Sequence, residues 1–152
     1  MSKYPKGILR IYVPIFSLLE KIAGPNILFV GNASEKRKKD LLAGALGFIH
    51  PQEEDFGISA VEAMAAGMPV IGTDVPGIRE IIENRKNGML CGTEANDIKS
   101  AIEKLLTNQV LCKKLGQNAN NYAIQHFSLE KILDMELNLY NSLLENSQMV
   151  RL

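Results

Sequence analysis

The sequence lacks the features that mark membrane, nucleic-acid-binding and metal-binding proteins. No apolar run approaches the ~18 residues that a membrane-spanning helix needs. Acidic and basic residues balance at 17 each, so there is no basic excess of the kind that nucleic-acid-binding proteins carry. The two cysteines, Cys91 and Cys112, do not have the spacing of a metal site. We therefore predict a reduced cytoplasmic protein, either free or peripheral at the membrane, with no metal, no nucleic acid and no transmembrane segment.

The length and composition fit one ordinary globular domain. The chain has 152 residues, of which 46% are hydrophobic, and this is enough for a real core. No internal repeat or low-complexity stretch interrupts it. The first 24 residues are atypical, because Arg10 and Pro14 break an apolar, β-rich stretch and make a secretory signal a poor interpretation. We predict a helix from about Pro14 to Ala23, which residues 24–25 would end.

The most informative stretch runs from Phe48 to Gly67. An apolar run at 46–49 predicts a buried strand, and an acidic segment with Glu53, Glu54 and Asp55 follows it. An Ala-rich helical segment comes next, which Gly67 would end as a left-handed C-cap, and residues 68–73 predict a second strand. The pattern is a βαβ unit whose acidic loop lies at the carboxyl end of a strand, where open parallel sheets bind ligands.

Two carboxylates in this unit are candidates for ligand binding. Seven residues separate Glu54 from Glu62, which would be about 12 Å along a continuous helix. That scale suits the two ends of one extended ligand. The backbone N–H groups around residues 56–58 should be the unpaired donors of a helix start, suited to a phosphate or to sugar hydroxyls, and Gly57 would let a ligand approach closely. His50, at the end of the strand, either reaches this ligand or is a satisfied or exposed histidine.

The segments at 54–57, 62–71, 76–82 and 87–90 together resemble the signature of retaining glycosyltransferases of family 4. The resemblance extends over about residues 20 to 130. It implies the GT-B fold, in which two Rossmann-like domains face each other and the second holds a nucleotide-sugar donor without a metal or other cofactor. We therefore expect an α/β fold, a Rossmann-like parallel sheet flanked by helices, with residues 25–152 as a partial donor-binding domain and residues 1–24 as an atypical segment.

The resemblance also implies roles for individual residues. Glu54 matches the residue that lies against the transferred sugar and is the catalytic candidate. Glu62 matches the residue that holds the ribose hydroxyls of the nucleotide. The implied donor-binding set also includes the turn that supplies backbone contacts to sugar and phosphates: Asp55, Phe56, Gly57 and Ile58.

The remaining segments predict helices and strands around this unit. Ser34 is a plausible N-cap for a helix to Ala45, whose basic run at 36–39 either meets the donor or is a solvated face. The other predicted elements are a strand at 26–31, a short helix at 78–83, an edge strand at 89–91, a helix capped by Asn96 or Asp97, a helix around 111–123 and a last helix at 129–145. The last helix has a wider apolar face than a solvent-facing helix needs.

Two features of the family are not found in the sequence. No Gly-Arg turn followed by Lys, which would neutralise the donor diphosphate, occurs in the first 24 residues, and the first two strands of the donor domain are not recognised. The chain therefore resembles a fragment, a truncated gene product or one piece of a split enzyme. We expect either that residues 8–15 form a substitute strand beside the strand at 26–31, or that a second copy or a partner protein covers this edge.

Three functions remain open at this point. The first is a nucleotide-sugar-dependent glycosyltransferase that needs an N-terminal acceptor-binding domain or subunit. The second is a non-catalytic remnant that acts as a binding or interaction module. The third, an epimerase of the same architecture, fits the Phe56-Gly57 turn and the glutamate spacing less well.

Overall fold

The structure is a computed structural model that describes residues 9–11 and 19–149, with side chains described for residues 20–145. It divides into two compact units, residues 1–45 and residues 46–152. Because this division reflects packing and not the extent of a domain, the predicted boundary between residues 24 and 25 stays a prediction. The two units are described separately.

The described residues of the first unit, 9–11 and 19–45, form a parallel pair of strands and two helices. Its elements are β1 (Leu9–Ile11), α1 (Leu19–Ile22), β2 (Ile27–Phe29) and α2 (Glu35–Gly44). Strand β1 runs parallel to β2, with Leu9 opposite Ile27, so part of the predicted substitute strand does pair with its predicted neighbour. Helix α1 occupies the end of the helix predicted over 14–23, and residues 14–18 of that prediction lie outside the described residues. Ser34 caps α2 as predicted, accepting a hydrogen bond from the Arg37 amide at 3.3 Å.

The second unit is built on a parallel three-stranded sheet. Its strands are β3 (Phe48–His50), β4 (Val70–Thr73) and β5 (Met89–Cys91), in the order β3-β4-β5. All four residues of the central strand β4 are buried, as expected for a strand covered on both faces. The predicted α/β fold, a parallel sheet flanked by helices, is confirmed.

Five helices accompany this sheet. They are α3 (Ile58–Ala65), α4 (Pro76–Ile81), α5 (Ala95–Thr107), α6 (Gln109–Phe127) and α7 (Leu129–Met149). Helix α3 ends as predicted at Gly67, whose φ of +79° is left-handed. The Gly67 amide donates to Met64 O and the Met68 amide to Ala63 O, which is a Schellman turn. Because this turn uses Met68, β4 begins at Val70 and not at residue 68.

The predicted N-cap of α5 is wrong. Glu94 is the N-cap, and its carbonyl accepts from the amides of Asp97 and Ile98 at 2.9 and 3.2 Å. Asp97 lies inside the first turn, where a carboxylate still favours the positive end of the helix dipole. Its side chain is turned toward Gly92, where a Cβ would overlap the Asp97 carboxylate.

Helix α6 brings the C-terminal part of the second unit against α3. Gly116 allows the close approach, because a Cβ there would overlap the Gly67 carbonyl oxygen and lie 3.3 Å from Pro69 Cδ. Asn120 donates from Nδ2 to Ala65 O at 2.6 Å, at the C-terminal end of α3. Leu115 is fully buried in the core cluster with Ile71 and Met89. Helix α6 thereby packs against α3 and the core of the sheet. The loops that follow β3 and β4 lie at the carboxyl ends of these strands.

Candidate functional site

The carboxyl ends of the three parallel strands form one rim. His50, Thr73 and Cys91 are the last residues of β3, β4 and β5. The acidic loop, residues 51–57, leaves the rim from β3 and leads directly into α3. The Asp74 amide donates to Cys91 O at 2.8 Å, so the chain stays close to the rim as it leaves β4. Rims of this kind are the usual ligand sites of parallel α/β sheets.

Glu54 lies beside a buried histidine. The His50 side chain is only 3% exposed, and its Nε2 lies 2.9 Å from Glu54 Oε2, whereas the Glu54 side chain is 39% exposed. The distance is that of a hydrogen bond, but the angle is not: Nε2 has no aligned hydrogen-bond partner among the described residues. Gln52 Nε2 lies 3.5 Å from the same oxygen. The interpretation of His50 as an exposed residue is therefore wrong, and its imidazole faces Glu54.

The backbone of the acidic loop is held at two further points. Thr73 Oγ1, buried at the end of β4, donates to Gln52 O at 3.4 Å. Gly77, in the first turn of α4, lies so close that a Cβ would overlap Glu54 O and stand 2.6 Å from Asp55 O. The loop is therefore positioned by the end of β4 and the start of α4. This role of Gly77 was not predicted, because the sequence indicated a helix from residue 78 and the helix in fact begins at Pro76.

Gly57 shapes the start of α3. It is the N-cap, with φ of +79° and no side chain to cap the helix. A Cβ at this position would lie 3.1 Å from Ile78 Cδ1 and 3.3 Å from Ile81 Cδ1. The glycine thus allows α4 to approach the loop, and that it also allows a ligand to approach stays a prediction. Being the first residues of α3, Ile58 and Ser59 have amides with no intrahelical acceptor.

The side chains of three other predicted donor-binding residues are exposed. Asp55 is exposed, and Ile58 is 68% exposed at the first position of α3. Phe56 is 42% exposed, and its ring packs edge-on against Phe127 with centroids 5.5 Å apart. This contact ties the loop to the end of α6, where Tyr122 and His126 stack with centroids 4.3 Å apart.

Glu62 lies in the second turn of α3. It is half-buried, and it follows Ile58 by four residues, which places it on the same face about 6 Å further along the axis. The chain between Glu54 and Glu62 therefore consists of the end of the acidic loop and the first turn of α3. That Glu54 and Glu62 line one cleft remains a prediction.

A second charged pair lies at the end of β4. Arg79 Nε donates to Asp74 Oδ1 at 2.6 Å, and Nη2 donates to Asp74 O at 3.2 Å. The hydrogen bond from Arg79 holds the pKa of Asp74 below its usual value, and the same contact raises the pKa of Arg79. The Arg79 guanidinium is thus paired with Asp74, in the turn that precedes α4.

Two surface cavities lie elsewhere, beside α5. They measure about 200 and about 330 Å³, and both are lined by Arg85, Met89 and Lys104. None of the predicted site residues lines either cavity. Within the part of the chain that the structure describes, no three His, Cys, Asp or Glu side chains are grouped to hold a metal ion. The helices of that part include none that is both long and apolar enough to cross a membrane.

The profile of a known family matches most of the chain. The family is described as "Glycosyl transferases group 1", and the match covers residues 16–122, which include the acidic loop, α3 and α4. The chain belongs to this family. Its match includes every residue of the candidate site, from His50 to Gly77.

Individual relatives agree with this assignment. N-acetyl-alpha-D-glucosaminyl L-malate synthase of Bacillus anthracis is 31% identical over 124 residues, which is 80% of this chain and 32% of the relative. Sucrose-phosphate synthase of Thermosynechococcus elongatus has a solved structure with a TM-score of 0.76 and 28% identity, covering 85% of this chain and 33% of that one. A structure of TarM of S. aureus in complex with UDP, among other ligands, has a TM-score of 0.70 and 30% identity, covering 82% of this chain and 25% of TarM.

These comparisons support a glycosyltransferase-type domain with the GT-B fold. The chain spans only a quarter to a third of the length of the three relatives. Its likeness therefore concerns one part of those proteins, the part that carries the acidic loop and the helices behind it.

Proposed function

We propose that the chain is the donor-binding part of a retaining glycosyltransferase of family 4, which transfers a glycosyl group from a nucleoside diphosphate sugar to an acceptor. The observation that supports this most is the acidic loop, where Glu54 is half-buried at the carboxyl rim beside the start of α3. UDP in the related TarM structure supports a nucleotide ligand. We further propose that a second, acceptor-binding domain or subunit completes the enzyme in the cytoplasm, free or peripheral at a membrane.

The residues of the rim would act on different parts of the donor. Glu54 would accept hydrogen bonds from the transferred sugar, and its negative charge would stabilise positive charge that develops on the sugar in the transition state. The amides of Ile58 and Ser59 would bind an anionic group or sugar hydroxyls at the positive end of α3. Glu62, one turn further, would accept from the ribose hydroxyls of the nucleotide. No metal is required by this arrangement.

The diphosphate is the part of the donor that this rim would serve least well. Arg79 is already paired with Asp74, so it is a poor candidate for neutralising the phosphates. The Arg and the Lys that neutralise the diphosphate in the family are not found in the first 24 residues. Each would make a charge-assisted contact of about 1.5–3 kcal/mol, so the loss of both would reduce affinity for the donor more than a hundredfold. We therefore expect the chain alone to bind nucleotide sugars with dissociation constants no better than high micromolar.

Calorimetric titration of the chain with UDP, GDP and their sugar conjugates tests this function. Glu62→Ala should weaken binding of both the free nucleotide and the conjugate, since it removes a contact to the ribose. Glu103→Ala, an exposed glutamate on α5, is the control and should change neither. If no nucleotide binds, or if Glu62→Ala has no effect, the chain is better explained as a non-catalytic remnant.

A further inference from the structure

His50 is a buried titratable side chain for which the proposed reaction has no direct use. Its ring stacks on Phe48 with a 23° angle between planes and a centroid distance of 6.3 Å. Across the β3–β4 pairing its partner is Gly72, which contributes no side chain beside it. The imidazole is thus fixed by the strand and by a neighbouring ring, and its Nε2 edge is directed to the acidic loop.

The contact with Glu54 is the only one recorded for Nε2 within the described residues. A buried ring nitrogen without an aligned partner costs free energy, so an ordinary core histidine would be expected to have one. Here the carboxylate oxygen is at 2.9 Å and only the angle is poor. The Glu54 carboxylate would have to move to align the bond, and hydrogen bonds of catalytic groups that are poorly aligned without a ligand often tighten when one arrives.

Both recorded contacts of Glu54 use the same oxygen. His50 Nε2 and Gln52 Nε2 both approach Oε2, and among the described contacts of this carboxylate none uses Oε1; the side chain as a whole is 39% exposed. The backbone at Glu54 is already fixed by Gly77, and the backbone at Gln52 by Thr73. A side chain held by one oxygen on a fixed backbone presents its other oxygen in a defined direction, which is the preorganisation that a catalytic carboxylate needs.

We propose that His50 is the positioning residue of Glu54: its Nε2–H donates to Oε2 and directs Oε1 to the transferred sugar. His50 itself does not touch the donor. This role rests on the proposed function, but the contact between His50 Nε2 and Glu54 Oε2 exists in the chain without a ligand and can be probed there. The two can therefore be tested separately.

The first experiment detects the imidazole proton directly. The chain has only two histidines, so ¹⁵N labelling of histidine gives two ring systems, and His126 at the end of α6 is an exposed internal control. At a pH where His126 is neutral, the long-range ¹H–¹⁵N spectrum should show a protonated Nε2 for His50. Glu54→Gln should shift the His50 Nε2 resonance and leave His126 unchanged. An unprotonated Nε2, or a His50 spectrum that Glu54→Gln does not alter, would overturn the proposal.

The second experiment measures how the hydrogen bond from His50 to Glu54 affects the affinity for a UDP-sugar and for UDP. His50→Leu removes the donor, whereas His50→Gln keeps an N–H donor at nearly the same reach. His50→Leu should weaken binding of a UDP-sugar about 3- to 10-fold and leave UDP unchanged, since losing one hydrogen bond has an effect of this size. His50→Gln should recover most of the loss. The same loss for UDP and UDP-sugar, or no recovery by His50→Gln, would indicate a merely structural histidine.

Failure of the proposed function gives a different result. If the wild-type chain binds no nucleotide or sugar nucleotide, the donor-binding function fails, while the ¹⁵N experiment still decides whether His50 holds Glu54. Should His50→Leu fail to fold, as judged by circular dichroism, His50→Gln and the ¹⁵N spectra of Glu54→Gln carry the test. If the His50 Nε2 signal depends on Glu54 but the chain binds no donor, His50 positions Glu54 within the loop and has no shown effect on a ligand.

Discussion

Helices α6 and α7 follow each other in the chain and have similar lengths, 19 and 21 residues, but they are used in opposite ways. Helix α6 buries a row of mostly small side chains against the rest of its unit: Leu115, Gly116, Ala119 and Ala123. Helix α7 carries larger apolar side chains, and all of those described are between 38% and 69% exposed: Leu129, Ile132, Leu133, Met135, Leu137, Leu139, Tyr140, Leu143 and Leu144. The helix with the larger apolar residues is thus the less buried one.

The difference shows that an apolar face predicts burial only where a complementary surface exists. Gly116 and Ala119 let the backbone of α6 approach α3 closely, and Asn120 adds a hydrogen bond to the end of that helix. These small residues would contribute little to a hydrophobicity profile. The leucines of α7 produce a strong profile, yet each one described remains at least 48% exposed. An exposed apolar face of this width is typical of an interaction surface.

The same substitution in the two helices should give the largest contrast. Leu115→Ala, in a side chain with no exposure, should lower the free energy of unfolding by about 2–5 kcal/mol, since it leaves a cavity in the core. Leu137→Ala, in a side chain that is 59% exposed, should lower it by no more than about 0.5 kcal/mol. Urea unfolding of both variants, at a protein concentration low enough for the chain to be monomeric, measures this. Equal losses would mean that α7 is buried in solution.

The close approach of α6 to α3 gives the next largest effect. Gly116→Ala places a Cβ on the Gly67 carbonyl, and because both are backbone positions, neither can move cheaply. We expect a loss of about 1–3 kcal/mol, although alanine is the better helix former. Gly44→Ala is the control, since a Cβ at Gly44 meets nothing within 4 Å. It should be neutral or stabilise by up to ~1 kcal/mol. A stabilising Gly116→Ala would show that the helices are further apart.

Sequence patterns predicted the elements of the second unit well, because local signals define them. The acidic loop, the Ala-rich helix and the turn at Gly67 each depend on residues within a few positions, and the structure has all three. Errors arose where neighbours compete. Asn96 and Asp97 are better N-caps by residue type, but the chain enters its helical conformation two or three residues earlier, after Glu94. Such boundaries depend on the path of the chain between the end of β5 at Cys91 and the start of α5.

The site was predictable only in part for a different reason. Glu54 and Glu62 could be selected from spacing and resemblance. His50, Thr73 and Gly77 support the loop from β3, β4 and α4, and their role depends on contacts between segments that are distant in sequence. Burial of His50 follows from the pairing of β3 with β4, which a single sequence does not give. The residues that hold the candidate site in place are therefore harder to predict than the residues proposed to bind the ligand.

A smaller effect should come from the amide that joins α6 to α3. Asn120→Ala removes the hydrogen bond from Nδ2 to Ala65 O and should lower the free energy of unfolding by about 0.5–1.5 kcal/mol. Asn138→Ala, at an exposed position of α7, is matched in chemistry and should be neutral or slightly stabilising, because alanine favours helix. The difference between the two variants gives the contribution of the contact. No difference would mean that water replaces the Asn120 amide without loss.

The last prediction concerns the exposed face of α7 and has the smallest expected effect on unfolding of the single chain. We expect self-association, because the nine exposed apolar side chains lie on one helix and their burial would be favourable. Sedimentation at micromolar concentration should then show a species heavier than the 16.8 kDa chain. The pair Leu133→Lys and Leu137→Lys, which are four residues apart and share a face, should restore the monomer.

Asn138→Lys together with Asn141→Lys is the matched control, since it adds the same charge on the polar face of α7. This variant should associate like the wild-type chain. A wild-type monomer at all concentrations would contradict self-association, and a partner protein or a further domain would then be the remaining candidate to cover α7. If both double variants are monomeric, net charge and not the apolar face controls the association. The contrast between α6 and α7 would then have no consequence for self-association.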